Sequence, residues 1–151
     1  MTGFQKIMVP VDFSEHSQRA LDYAVGLANR FGAEVVVFHC YQLPIPPFGH
    51  PPYTTVLPDS YVGAVREAAI QATRRWADTA RTQGVRVREE ISAGFPANEI
   101  ATLAKDVGAD LIVMGTRGLS GLEHVLLGSV TERTIRIAPC PVLTINNELR
   151  V

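Results

Sequence analysis

Two features of this chain have the residue types and spacing to hold a phosphate. The first is the stretch MGTRGLSGLEHVLLGSVTER, from Met114 to Arg133, with glycines at Gly115, Gly118, Gly121 and Gly128 and a serine, Ser129, directly after the last. Glycine has no Cβ, so its backbone can turn left-handed or lie against a ligand. Where such a stretch enters a helix, the first N–H groups lack intrahelical partners and carry about half a positive charge. Together they form an anion site suited to phosphate. Ser129 and Thr131 add hydroxyl donors, and Arg117 adds a guanidinium that can grip phosphate as a fork. The second feature is Asp12, a carboxylate just past the first apolar run.

A ligand-free reading stands beside this one. Ser129 and Glu132 fit a capping box, S-x-x-E, and Gly115 and Gly118 fit an ordinary turn. The stretch is neither a Walker A loop, since no G-K-[ST] occurs, nor a G-x-G-x-x-G fingerprint.

The elements that must position these groups alternate in type. KIMVPV (Lys6–Val11) reads as a strand, and Ser14 as the N-cap of a helix whose apolar residues Ala20, Leu21, Ala24, Leu27, Ala28 and Phe31 run to a stop at Gly32. AEVVVFHC (Ala33–Cys40) is a buried strand. The following YQLPIPPFGHPPYTTVLP holds six of the ten prolines and suits neither helix interior nor central strand. Asp59 or Ser60 caps a long helix with the stripe Val62, Val65, Ala69, Ala72, Trp76 and Ala80, ending at Gly84. VRVREEI (Val85–Ile91) alternates apolar and charged residues, as an edge strand does. Pro96 opens a helix with Ile100, Leu103, Ala104 and Val107 buried and Gly108 as its end. ADLIVMG (Ala109–Gly115) is the most apolar strand. A helix to about Ile137 follows the glycines, and PVLTI (Pro141–Ile145) is the last strand.

Five strands alternating with four helices predict βαβ units, hence an α/β fold with a mostly parallel sheet covered on both faces. LIVMG and IMVPV are its central neighbours. In such sheets ligands bind beyond the strands' carboxyl ends, where the strand order reverses, so Asp12 and Gly115 are expected to converge there.

Composition narrows the function. The 151 residues predict one domain, 1–151. Charged residues at 19% and hydrophobic ones at 46% belong to a globular chain, not a disordered one. The net charge of −1 lacks the basic surplus that nucleic acid requires, and Arg74–Arg75 and Arg86/Arg88 read as solvated faces. Cys40 and Cys140 show no ligand or disulfide spacing and read as free, largely buried thiols. No secretory leader and no membrane-length apolar run is visible, so the expected setting is the cytoplasm, with no membrane partner.

The spacing Gly115-x2-Gly118-x9-Gly128-Ser129 resembles the nucleotide-binding signature of the universal stress protein family, in its ATP-binding branch. IMVPVDFSEHS, VVVFHCY, GFPANEIATLAKDVGADLIVMGTRG and LLGSVTERTIRIAPCPVLTI resemble that family's other segments in order, across nearly the whole chain. The expected fold is then a Rossmann-like open sheet in the order 3-2-1-4-5. The resemblance implies ATP as ligand. Pro10 and Val11 would line the adenine pocket, and Cys40 would offer its backbone to the ring. Asp12 would lie near the ribose and the metal-bound phosphates, Met114 and Gly115 would pass under the nucleotide, and Gly118, Gly128, Ser129, Val130 and Thr131 would hold the phosphates. It also implies a homodimer paired through Val142–Ile145.

A triphosphate carries about four negative charges, which one arginine and a helix terminus worth ~0.3–2 kcal/mol do not balance. Mg²⁺, or Mn²⁺, is therefore expected beside Asp12. Phosphoryl transfer needs a positioned base and further positive charge, and no acid–lysine pair supplies them. The expectation is a stress-response binding protein with slow or no hydrolysis. Glu123 and His124 read as surface residues, with an approach to the phosphates as the alternative; His39 reads as a satisfied rim histidine; the Pro-rich segment reads as a plain loop, with a cover over the nucleotide or a partner-docking site as the alternative. The rival readings are an ATPase or nucleotidyl transferase on the same fold, a flavin module, which lacks its phosphate loop here, and a phospho-receiver domain, which lacks its acidic pair and lysine.

Overall fold

A computed structural model describes residues 3–43, 57–117 and 127–146. The elements run β1 (Lys6–Pro10), α1 (Glu15–Phe31), β2 (Glu34–Tyr41), α2 (Asp59–Arg81), β3 (Arg86–Ala93), α3 (Pro96–Val107), β4 (Leu111–Gly115), α4 (Ser129–Ile137) and β5 (Val142–Ile145). The five strands form one sheet in the order β3-β2-β1-β4-β5, every pairing parallel.

The strand side chains divide by parity, as the period of two requires. Ile7, Val9, Val35, Val37, Leu111 and Val113 face one side and pack with Ala20, Leu21 and Ala24 of α1 and Ala77 and Ala80 of α2. Met8, Val36, Phe38, Ile112 and Met114 face the other and pack with Ile100 and Ala104 of α3. Burial on both faces explains why these strands read as continuous apolar runs. β3, at the edge, keeps its charged residues, and Glu89 pairs with Arg74 (3.0 Å) and Arg81 (3.2 Å) of α2. Arg88 pairs with Glu90, so much of the basic character read around these positions is neutralised within the chain.

Ser14 caps α1, its Oγ accepting from the Ser17 amide at 3.2 Å. Gly32 and Gly108 end α1 and α3 in the left-handed conformation, φ 70° and 68°. Three expectations need correcting. α2 is not capped by Asp59 or Ser60: Asp59 is already helical, and Pro58 is the N-cap with no side-chain bond. Its buried residues are Ala69, Thr73, Ala77 and Ala80, so the stripe is rotated from the expected one and Trp76 is only partly buried. Small residues let α2 lie close to the sheet, and Thr73 is tolerated there because its hydroxyl donates to the Ala69 carbonyl at 2.7 Å. Finally, both cysteines are free but only half-buried.

Gly115 owes its identity to packing. It is a strand residue outside the left-handed region. A Cβ built on it would lie 2.8 Å from His16 Cβ and 2.9 Å from the His16 carbonyl oxygen, because the first turn of α1 crosses over the end of β4. Gly115→Ala is expected to destabilise the protein by about 1–3 kcal/mol, the usual range for overpacking. In thermal unfolding each kcal/mol lowers Tm by roughly 2–4 °C for a chain of this size. A variant melting with the parent would show that the contact yields freely.

Candidate functional site

The strand order reverses between β1 and β4, and the chain leaving each of them supplies one wall of a cleft. On the β1 side, the Val11 amide donates to the Phe38 carbonyl at 2.7 Å, and His39 Nδ1 lies 2.7 Å from the Val11 carbonyl oxygen. A carbonyl only accepts, so the imidazole carries its proton on Nδ1 and His39 is a satisfied rim residue. Asp12 Oδ1 accepts from the Ser14 amide at 3.0 Å, and the Asp12 amide donates to Ser17 Oγ at 3.3 Å. The carboxylate is thereby fixed at the start of α1.

On the β4 side, the Gly128 amide donates to the Thr116 carbonyl at 2.6 Å, and the Thr131 hydroxyl donates to the Gly115 carbonyl at 2.9 Å. These two bonds seat α4 on the end of β4. They also correct the expectation for Thr131: its proton is spent on Gly115 and is not a donor to the cleft. The capping-box alternative fails as well. The N-cap is Gly128, Ser129 is the first helical residue, and Glu132 pairs with Arg136 at 2.7 Å. No side chain caps α4, so the amides of its first turn have no capping partner among the described residues. Gly128 has φ −66°, which any residue adopts; its lack of a side chain matters for space rather than for conformation.

Pro10, Val11, Asp12, Cys40, Met114, Gly115, Arg117, Gly128, Ser129, Val130 and Thr131 all line this cleft, which encloses about 250 Å³. Gly118, with Gly121, Glu123 and His124, lies outside the described residues. Ser17, Phe38, Pro96 and Ile100 also line the cleft and were missed. A signal for Phe38 and Ile100 existed: their periodicity puts them on the sheet face that carries Met114. Nothing in the sequence pointed to Ser17. The charged side chains among the described lining residues are Asp12 and Arg117.

Strand register explains how Cys40 addresses the cleft. β1 pairs with β2 only as far as Pro10↔Phe38, while β2 continues beside β3 to Tyr41↔Ala93. The Phe38 carbonyl accepts from Val11, on the β1 side, and the Tyr41 carbonyl from Gly94, on the β3 side. By alternation the amide and carbonyl of Cys40 turn to the β1 side, beyond the end of β1. The Cys40 thiol donates to the Gly94 carbonyl at 3.4 Å. Burial, reinforced by the Glu99 carboxylate, pushes the thiol pKa up to about 11. At neutral pH it is protonated and a poor nucleophile, so Cys40 contributes a wall of the cleft and no reactive thiolate.

The universal stress protein family model matches residues 3–146 of the chain. The chain belongs to the universal stress protein family. A universal stress protein of Methanocaldococcus jannaschii is 40% identical over 142 residues, which cover 94% of this chain and 82% of the relative. Among solved structures, the universal stress protein UspA from Lactobacillus plantarum matches with a TM-score of 0.80 at 30% identity, covering 96% of this chain and 99% of that one. A universal stress protein in complex with cAMP matches with a TM-score of 0.69 at 28% identity, covering 95% and 98% respectively. Among the described residues of this universal stress protein, no helix is long and apolar enough to cross a membrane.

Proposed function

We propose that the cleft binds an adenine nucleotide, ATP in particular, and that the protein is a cytoplasmic stress-response regulator with slow or no hydrolysis. The observation that carries this reading is the start of α4, uncapped by any side chain among the described residues, on the same cleft as the Asp12 carboxylate. An amide cluster selects an anion, and a carboxylate beside it needs a cation between the two.

The cleft's lining is of two chemical kinds. Pro10, Phe38, Pro96, Ile100 and Met114 supply apolar surface for a base, and the adjacent amide and carbonyl of Cys40 offer a donor and an acceptor to the adenine edge. Asp12, Arg117, Gly128, Ser129, Val130 and Thr131 supply the charged, hydroxyl and main-chain lining, which this reading gives to the ribose and phosphates. Thr131 takes part through its amide, since its hydroxyl is engaged. The cAMP complex of the relative supports an adenine nucleotide as the ligand class.

Among the described residues no group of three His, Cys, Asp or Glu could enclose a metal ion. One carboxylate fits Mg²⁺ or Mn²⁺ carried in with the phosphates, because Mg²⁺ commonly keeps several waters and takes only one or two carboxylates. Asp12 is the residue that would hold it, and the ion would neutralise phosphate charge. With Asp12 as the acid and Arg117 as the cation of the described lining, and no further charged side chain among those residues, the site favours binding over phosphoryl transfer. The homodimer belongs to the same proposal: β5 lies at the sheet edge, and an unpaired strand edge invites a second copy.

Two measurements test these readings. Thermal unfolding with Mg-ATP at about 100 times its Kd is expected to show a gain of roughly 2.7 kcal/mol. Gly128→Leu and Asp12→Ala are expected to abolish or reduce that gain while still folding; a Gly128→Leu protein with the parent's shift refutes the phosphate assignment. Light scattering at micromolar concentration is expected to give a dimer mass, and a monomer mass removes pairing through β5.

A further inference from the structure

One strained residue sits beside the site without belonging to it. Phe13 is the one residue other than glycine with a left-handed backbone among the described residues, at φ 66°. Such a conformation is strained for a residue with a Cβ and persists only where its surroundings hold it. What holds it is visible. The Phe13 ring centroid lies 4.4 Å from that of His39, tilted by 40°, and 5.3 Å from that of Trp76, edge-on at 71°. His39 in turn bonds to the Val11 carbonyl at 2.7 Å.

Residues 11 and 13, on either side of Asp12, are thus both tied to one imidazole. Val11 is tied by a hydrogen bond and Phe13 by ring contact. Trp76, from the C-terminal half of α2, is the second aromatic neighbour of the Phe13 ring. Phe13 itself does not line the cleft, whereas Asp12 does. The clamp therefore acts on the carboxylate's direction and touches no ligand.

We infer that Phe13 is a positioning residue: packed against His39 and Trp76, its left-handed backbone aims Asp12 at the metal-bound phosphates. This rests on the nucleotide reading above. Its consequence is specific to the metal. The amides of α4 and the apolar end of the cleft do not depend on Phe13, so releasing the clamp removes the affinity that Mg²⁺ adds and leaves metal-free affinity in place.

The test is calorimetric titration of ATP, with Mg²⁺ and with EDTA, into the parent, Phe13→Gly and Phe13→Tyr. Glycine accepts the left-handed backbone and lacks the ring; tyrosine keeps the ring. In the parent, Mg²⁺ is expected to raise ATP affinity at least tenfold. Phe13→Gly is expected to lose most of that effect, with affinity in EDTA within twofold of the parent, and Phe13→Tyr to retain it. Should Phe13→Gly not melt cooperatively, Phe13→Asn, which also tolerates this backbone, takes its place. An undiminished Mg²⁺ effect in the glycine variant overturns the inference and leaves the nucleotide reading standing. Equal losses with and without Mg²⁺, or a parent indifferent to Mg²⁺, overturn it too. A parent that binds ATP under neither condition overturns both.

Discussion

The cleft depends on how closely α1 and α4 can approach the last residue of β4. Gly115 has no side chain, so the first turn of α1 lies across it, with His16 where a Cβ would collide. Its carbonyl accepts the Thr131 hydroxyl and seats the first turn of α4. A single backbone position thus draws together the starts of two helices. Each start brings positive dipole potential to the same end of the sheet. The reversal of strand order between β1 and β4 keeps the two helices on opposite faces, so the space between their starts stays open.

Around this opening some polar groups are satisfied within the protein, and others have no such partner among the described residues. The Val11 amide and carbonyl, the His39 Nδ1–H, the Gly128 amide and the Thr131 hydroxyl all have protein partners. They make the walls rigid. The first-turn amides of α4 lack a side-chain cap among the described residues, and the backbone of Cys40 faces past the end of β1. Donors held in place by a satisfied scaffold lose little on binding, which is the physical basis of preorganisation. A thiol kept protonated by burial and by Glu99 adds no reactivity to this arrangement.

Much of the fold was legible in the sequence because two-sided burial leaves a strong trace. The runs at β1, β2 and β4 are apolar at successive positions, and only a strand packed on both faces requires that. Gly32 and Gly108 marked helix ends because each takes the left-handed conformation there. α2 was harder. Its sheet-facing side is made of Ala69, Thr73, Ala77 and Ala80, so the bulky Trp76, which dominates the hydrophobic pattern, lies off the contact line. The site was legible at the level of segments, since the glycine stretch and Asp12 carry local signals. The reasons behind individual residues were not. Gly115 answers to a helix packed across it, Thr131 to a carbonyl 16 positions earlier, and Ser17 lines the cleft only because α1 begins there. Each of these is a tertiary relation that no window of sequence contains.

The central claim is that a nucleotide's phosphates lie between Asp12 and the first turn of α4, at the carboxyl ends of the strands. The most direct measurement is a titration of the amide proton–nitrogen spectrum with Mg-ATP. The largest shifts are expected at Asp12, Cys40, Gly115, Ser129, Val130 and Thr131, with Lys6, Glu34, Arg86 and Asp110 at the opposite end of the sheet unmoved. Shifts centred on that opposite end, or a spectrum that does not respond, would contradict the account.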